Sequence, residues 1–108
     1  MRADRFALAF ALAAFLATPA VAQEPVKIGL ITTLSGPAGY LGQDIRDGFM
    51  LAIEQPGTPK TQMMVEDDGG KPGQAKATAE RYLKTDGVKI FTGIVFGNVG
   101  AAVIPDVL

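Results

Sequence analysis

Ser35 is the one serine in this chain of 108 residues, and His, Cys and Trp are absent. Those gaps decide which chemistry is open. No Ser–His or Cys–His nucleophile–base pair can be assembled, and zinc finds neither thiolate nor imidazole. Carboxylates remain, with Glu66, Asp67 and Asp68 in a row. Consecutive residues at a strand end point in different directions, so these three are expected to be solvated loop charges that cap the following helix. Recognition is left rather than catalysis, with no cofactor and no metal called for. Two glycine-rich stretches carry it: Thr33 to Gly42, and Phe96-Gly97-Asn98-Val99-Gly100. Each leads toward a helix start, where free backbone N–H groups and the positive dipole end suit a carboxylate. Tyr40 and Phe96 set aromatic bodies beside that polar floor, the makeup of a small organic-acid pocket. The plainer alternative is that both rings cover the end of a sheet and the glycines permit turns.

Three strands alternating with three helices must position these loops. Val26 to Ile31 is short, apolar and partly β-branched, a buried strand. Thr33 to Gly42 is expected as loop, and a helix from about Gln43 to Gln55 carries Ile45, Phe49, Ala52 and Ile53 on one face. Pro56-Gly57 stops it. Thr61 to Val65 is the second strand, and Ala75, Ala79, Tyr82 and Leu83 form the stripe of a second helix. Asp86-Gly87 closes that helix with a residue suited to a left-handed conformation. Val88 to Val95 is the third strand, and a third helix begins at Gly97-Asn98 and continues through Pro105. Such short connections imply parallel pairing, a Rossmann-like α/β lobe of which this chain holds the first β-α-β-α-β-α part. In an open parallel sheet ligands sit beyond the carboxyl ends of the strands. A strand order of 2-1-3 makes the two glycine-rich loops neighbours. Three strands leave two open edges, so residues 23–108 are expected to be the N-terminal part of a larger lobe, truncated here.

The first 22 residues read as a secretory leader. Arg2 and Arg5 precede an unbroken apolar run from Phe6 to Ala17, and Ala20-Val21-Ala22 offers a cleavage pattern before Gln23. That run falls short of the roughly 20 residues a bilayer core needs, so no membrane insertion is expected after cleavage. The mature part carries eight Lys and Arg against ten Asp and Glu, a net −2. Nucleic acid, which requires a basic stripe, is not the expected partner. A periplasmic location follows from the leader.

Several stretches resemble one family. Lys27-Ile28-Gly29-Leu30, then Leu34-Ser35-Gly36-Pro37-Ala38-Gly39-Tyr40-Leu41-Gly42-Gln43-Asp44 and Arg46-Asp47-Gly48, are similar to the opening of periplasmic solute-binding proteins of the branched-chain amino acid type. Val65-Glu66-Asp67-Asp68, Lys71-Pro72-Gly73-Gln74-Ala75 and Asp86-Gly87-Val88-Lys89 continue the likeness. These are the type I receptors of ABC importers. The resemblance implies two lobes joined by a hinge, a small-molecule carboxylate trapped between them, and a membrane permease as partner. It also implies ligand contacts from the loop at Tyr40-Leu41 and the turn at Phe96-Gly97-Asn98. With Ser35 and Val99 these make the candidate set: Ser35, Tyr40, Leu41, Phe96, Gly97, Asn98 and Val99. One departure concerns Gly97, where amino acid binders of the family tend to carry a small hydroxyl residue. Aromatic carboxylates therefore stand beside branched-chain amino acids as expected ligands.

Two rival readings differ in class. A dinucleotide-binding half-domain of an oxidoreductase shares the outline of a glycine-rich loop and a later acid. Yet Gly36-x-x-Gly39-x-x-Gly42 is not G-x-G-x-x-G, and Pro37 removes a backbone donor where pyrophosphate needs one. An extracytoplasmic sensor built on the same lobe is the other reading.

Overall fold

The computed structural model describes residues 24–108. The leader predicted at residues 1–22 lies outside the described residues. Strand β1 spans Val26–Thr32, helix α1 Gly39–Ile53, β2 Thr61–Asp67, α2 Pro72–Lys84, β3 Ile90–Thr92 and α3 Gly97–Val107. The sheet order is β2-β1-β3, with both pairings parallel. Val26 to Thr32 run in register with Thr61 to Asp67, while β3 pairs through Ile28↔Ile90, Gly29↔Phe91 and Leu30↔Thr92.

The two-residue period of β1 divides the layers. Gly29 and Ile31 face α2 and α3, where Ala75, Ala79, Tyr82, Val88, Val99 and Val103 close the core with Ile31. Gly29 is a packing requirement there, because a Cβ on it would lie 2.7 Å from Cδ2 of Tyr82. Leu30 and Thr32 face the other way, Thr32 toward Gly42 of α1 and Leu30 toward Gly93. Helix α2 carries Ala75, Thr78, Ala79 and Tyr82 at helical spacing, and all four are buried. Its end is shaped by Gly87 at φ +67, after which the Val88 amide donates to the Tyr82 carbonyl at 3.0 Å. Lys76 reaches Asp106 of α3 at 3.5 Å, and the Arg81 guanidinium meets Glu66 at 2.6 Å.

Three expectations need correcting. Helix α1 starts at Gly39 rather than near Gln43, so Tyr40, Leu41 and Gly42 belong to its first turn. The cause is close packing: a Cβ on Gly39 would stand 2.6 Å from the Leu34 carbonyl oxygen. On Gly42 it would collide with the Thr33 carbonyl oxygen and lie 2.6 Å from its carbon. Those glycines let a helix lie on the preceding chain instead of loosening a loop. The apolar stripe of α1 is also less covered than its pattern implies. Ile45, Phe49 and Ile53 are half-buried, Ala52 is exposed, and only the two packed glycines are buried. Finally, β3 has three residues where Val88 to Val95 was expected. Gly93 ends it by turning to φ +98, with the Leu30 side chain occupying the place of a Cβ.

Candidate ligand-binding site

Parallel strands put every strand-to-helix connection at one end of the sheet, and the order β2-β1-β3 makes the loops after β1 and β3 neighbours. The first loop, Thr33 to Ala38, turns at Gly36 with φ +75 and is fastened by the Gly39 amide donating to the Gly36 carbonyl at 3.0 Å. Tyr40, in the first turn of α1, is 62% exposed. Leu41 beside it and Ser35 on the loop are exposed as well.

On the other side, Phe96 precedes α3 in an extended conformation at φ −105, ψ 140, with no side-chain cap. Gly100 is the residue whose amide returns to the Phe96 carbonyl, at 3.0 Å. The amides of Gly97, Asn98 and Val99 therefore precede the first intrahelical bond, as at any uncapped helix start. No atom lies within 4 Å of where a Gly97 Cβ would sit, and Asn98 is exposed. Val99 differs from its neighbours. Its side chain is fully buried in the core, so only its backbone faces the helix start.

The loop after β2 was read as solvated charge, and the structure overturns that reading. Strand β2 runs on through Glu66 and Asp67. Asp67 Oδ1 accepts from the amides of Leu34 and Gly69, both at 2.8 Å. Asp68 is 1% exposed; its Oδ1 accepts the Thr33 hydroxyl at 2.6 Å and the Gly70 amide at 2.7 Å. Neither aspartate caps α2, whose N-cap is Lys71 without a side-chain bond, followed by Pro72. The Ser35 hydroxyl and the Leu34 amide hold the Asp67 carboxyl below the usual carboxylate range, outweighing its partial burial. Each aspartate closes a turn onto the amide two residues on, and Gly69 and Gly70 supply φ of +58 and +70. An Asp-Asp-Gly-Gly run was the available signal, since Asp before such glycines bonds its own backbone. Gly70 also meets Phe96: a Cβ on it would lie 3.7 Å from Cε2 of that ring. All three loops thus gather above the end of β1.

Two other surface concavities lie away from these loops. One is at the amino ends of β1 and β3, lined by residues that include Glu24, Lys27, Gly87 and Lys89. The second follows α1 along Ile45, Gly48, Phe49 and Ala52. Among the described residues no group of three or more acidic side chains could hold a metal ion.

A parallel sheet with helices on both faces matches the lobe architecture of type I periplasmic binding proteins. The family profile of periplasmic binding proteins matches residues 25–108, and the chain belongs to that family. A leucine-, isoleucine-, valine-, threonine- and alanine-binding protein of Pseudomonas aeruginosa is 35% identical over 100 residues, covering 87% of this chain and 26% of the relative. An ABC transporter substrate-binding protein from Sphaerobacter thermophilus superposes with a TM-score of 0.68 at 36% identity, over 74% of this chain and 23% of that one. A solute-binding protein from Rhodopseudomonas palustris, solved in complex with 4-hydroxybenzoate, gives 0.68 at 26% identity, over 76% and 24%. The chain spans about a quarter of the length of the curated relatives it matches.

Proposed function

We propose that this chain contributes the first part of lobe one of an exported, non-enzymatic receptor. The receptor captures a small carboxylate in the periplasm and delivers it to the membrane permease of an ABC importer. The observation that carries the reading is the uncapped start of α3 beside the exposed ring of Phe96, on a strand adjacent to the one that leads to Tyr40. Amides at Gly97 to Val99, together with the Asn98 side chain, receive the carboxylate. Tyr40, Leu41 and Phe96 flank the hydrocarbon part, and Ser35 shapes the edge of the loop. A second lobe closing over these loops about a hinge buries the solute and creates the shape the permease reads. Empty space around Gly97 removes a side-chain hydroxyl from the carboxylate subsite and leaves room for a ring, which favours an aromatic acid alongside branched-chain amino acids. Residues 1–22 act as the export leader.

Thermal-shift screening of the full receptor chain against aliphatic amino acids, hydroxybenzoates and nicotinamide dinucleotides tests this. A solute that binds only the folded state raises the melting temperature by mass action, by an amount set by its concentration relative to Kd. Stabilisation by carboxylates supports the receptor; stabilisation by dinucleotides alone ends it.

A further inference from the structure

The loop after β2 carries none of the proposed ligand contacts, yet both loops that do carry them rest on it. Asp67 Oδ1 accepts the Leu34 amide at 2.8 Å. One residue further, Asp68 fastens Thr33 from inside the fold at 2.6 Å. Gly70, held by the same Asp68 oxygen at 2.7 Å, abuts the ring of Phe96. A continuous chain of contacts therefore runs from Leu34 through Asp67 to Asp68, and on through Gly70 to Phe96.

We propose that Asp67 is a positioning residue for the solute: it sets the place of the Ser35–Leu41 face relative to Phe96 and does not itself touch the ligand. The inference rests on the solute-receptor reading above and deepens it. Three features of the geometry argue for positioning over direct contact. Its Oδ1 is already shared by two amides. A carboxylate solute is repelled by an ionised neighbour, so direct contact is disfavoured for the proposed ligand class. And the amide partners belong to two different loops, so losing the carboxylate frees both at once. Hydrogen bonds to a charged acceptor are about twice as strong as neutral ones, which suits a tie that extends the Asp68–Thr32 and Thr33–Asp68 bonds out to Leu34.

The test uses the full receptor chain with leucine and 4-hydroxybenzoate as probes, titrated calorimetrically against the parent, Asp67→Ala and Asp67→Asn. The amide spectrum of each ligand-free protein is recorded as well. Asp67→Ala is expected to weaken whichever probe binds by about tenfold, while Asp67→Asn, which keeps an acceptor oxygen for Leu34 and Gly69, recovers most of that loss. Before any ligand is added, the amide resonances of Leu34, Gly69, Tyr40 and Leu41 move in Asp67→Ala. Unchanged affinity overturns the proposal, and so do Tyr40 and Leu41 signals that stay in place. In a parent that binds both probes, loss confined to leucine also overturns it, because that marks Asp67 as a direct contact for the ammonium group. Should Asp67→Ala fail to fold, Asp67 is a general stability residue and positioning is refuted for it. The near-isosteric Thr33→Val then asks whether cutting the Asp68 tie alone displaces the Tyr40 signal. A parent that binds neither probe excludes leucine and 4-hydroxybenzoate as its solutes, while the resonances still decide the anchoring claim.

Discussion

Replacing Gly42 by alanine sets two effects of opposite sign against each other within one helix. By intrinsic preference a Gly→Ala change in a helix interior stabilises by about 1 kcal/mol, because glycine loses more backbone freedom on folding. At Gly42 the added methyl meets the Thr33 carbonyl, with the carbonyl carbon at 2.6 Å and Thr32 Oγ1 at 2.9 Å. An ordinary carbon–carbon contact is about 3.5 Å or more, so the helix start or the loop must retreat by about 1 Å. Two of those three neighbouring atoms are main chain, and the third is a buried hydroxyl, so no flexible side chain can yield. Overpacking of this kind costs typically 1–3 kcal/mol, and a rigid obstacle places it toward the upper end. The net expectation for Gly42→Ala is a destabilisation of about 1–2 kcal/mol. Gly48 is the internal control. It lies in the same helix, and a Cβ on it meets no atom within 4 Å, so Gly48→Ala is expected to stabilise by about 0.5–1 kcal/mol. Urea unfolding of parent, Gly42→Ala and Gly48→Ala at one protein concentration measures both shifts. Equal stabilisation by the two substitutions would refute the claim that α1 starts where it does because its first turn lies on the Thr33 backbone.

Two further outcomes can be checked alongside. Gly97→Ser adds a hydroxyl to an open position, so unfolding stability stays within about 0.5 kcal/mol. Affinity for an aliphatic amino acid relative to a hydroxybenzoate rises about three- to tenfold, the worth of one hydrogen bond; calorimetric titration showing no change in that ratio removes Gly97 from the carboxylate subsite. Burial, reinforced by nearby Glu66, pushes the Tyr82 phenol up to about 12. A raised value means the folded state keeps the proton longer than the unfolded chain, so this contribution to stability is full below about pH 10 and is lost as pH rises toward 12. Discounted for solvent screening at the phenol end, the loss is about 1–2 kcal/mol over that window, and Tyr82→Phe should flatten the alkaline limb of an unfolding-against-pH series. Parallel curves for the two proteins would count against it.

Much of this architecture was legible because the signals are periodic. Val26 to Ile31, the Ala75–Ala79–Tyr82 stripe and the Asp86-Gly87 stop each declare themselves within a few residues, and the structure has each where the pattern puts it. What escaped reading depends on contacts between elements rather than on periodic pattern. Gly39 and Gly42 look like loop glycines, since the carbonyls that exclude a Cβ belong to Leu34 and Thr33, against which the helix folds back. Val88 to Val95 has strand composition throughout, but only three residues find a partner on β1, and Gly93 then turns away. Asp67 and Asp68 resemble surface charge until Thr33 and Leu34 are brought beside them by the pairing of β1 with β2. Val99 entered the candidate set for its backbone amide at the helix start, and the burial of its side chain reflects helical geometry that turns adjacent side chains about 100° apart.

The packed glycines and the unencumbered ones have different prospects under mutation. Positions 29, 39 and 42 have no spare volume, so drift there is penalised whatever the solute. Position 97 has room for a side chain, and the ring at position 40 projects outward. Divergence among descendants can therefore accumulate at those two places without disturbing the scaffold. If the proposed site is the ligand site, such an arrangement lets one solute be exchanged for another in a few steps, each close to neutral for folding.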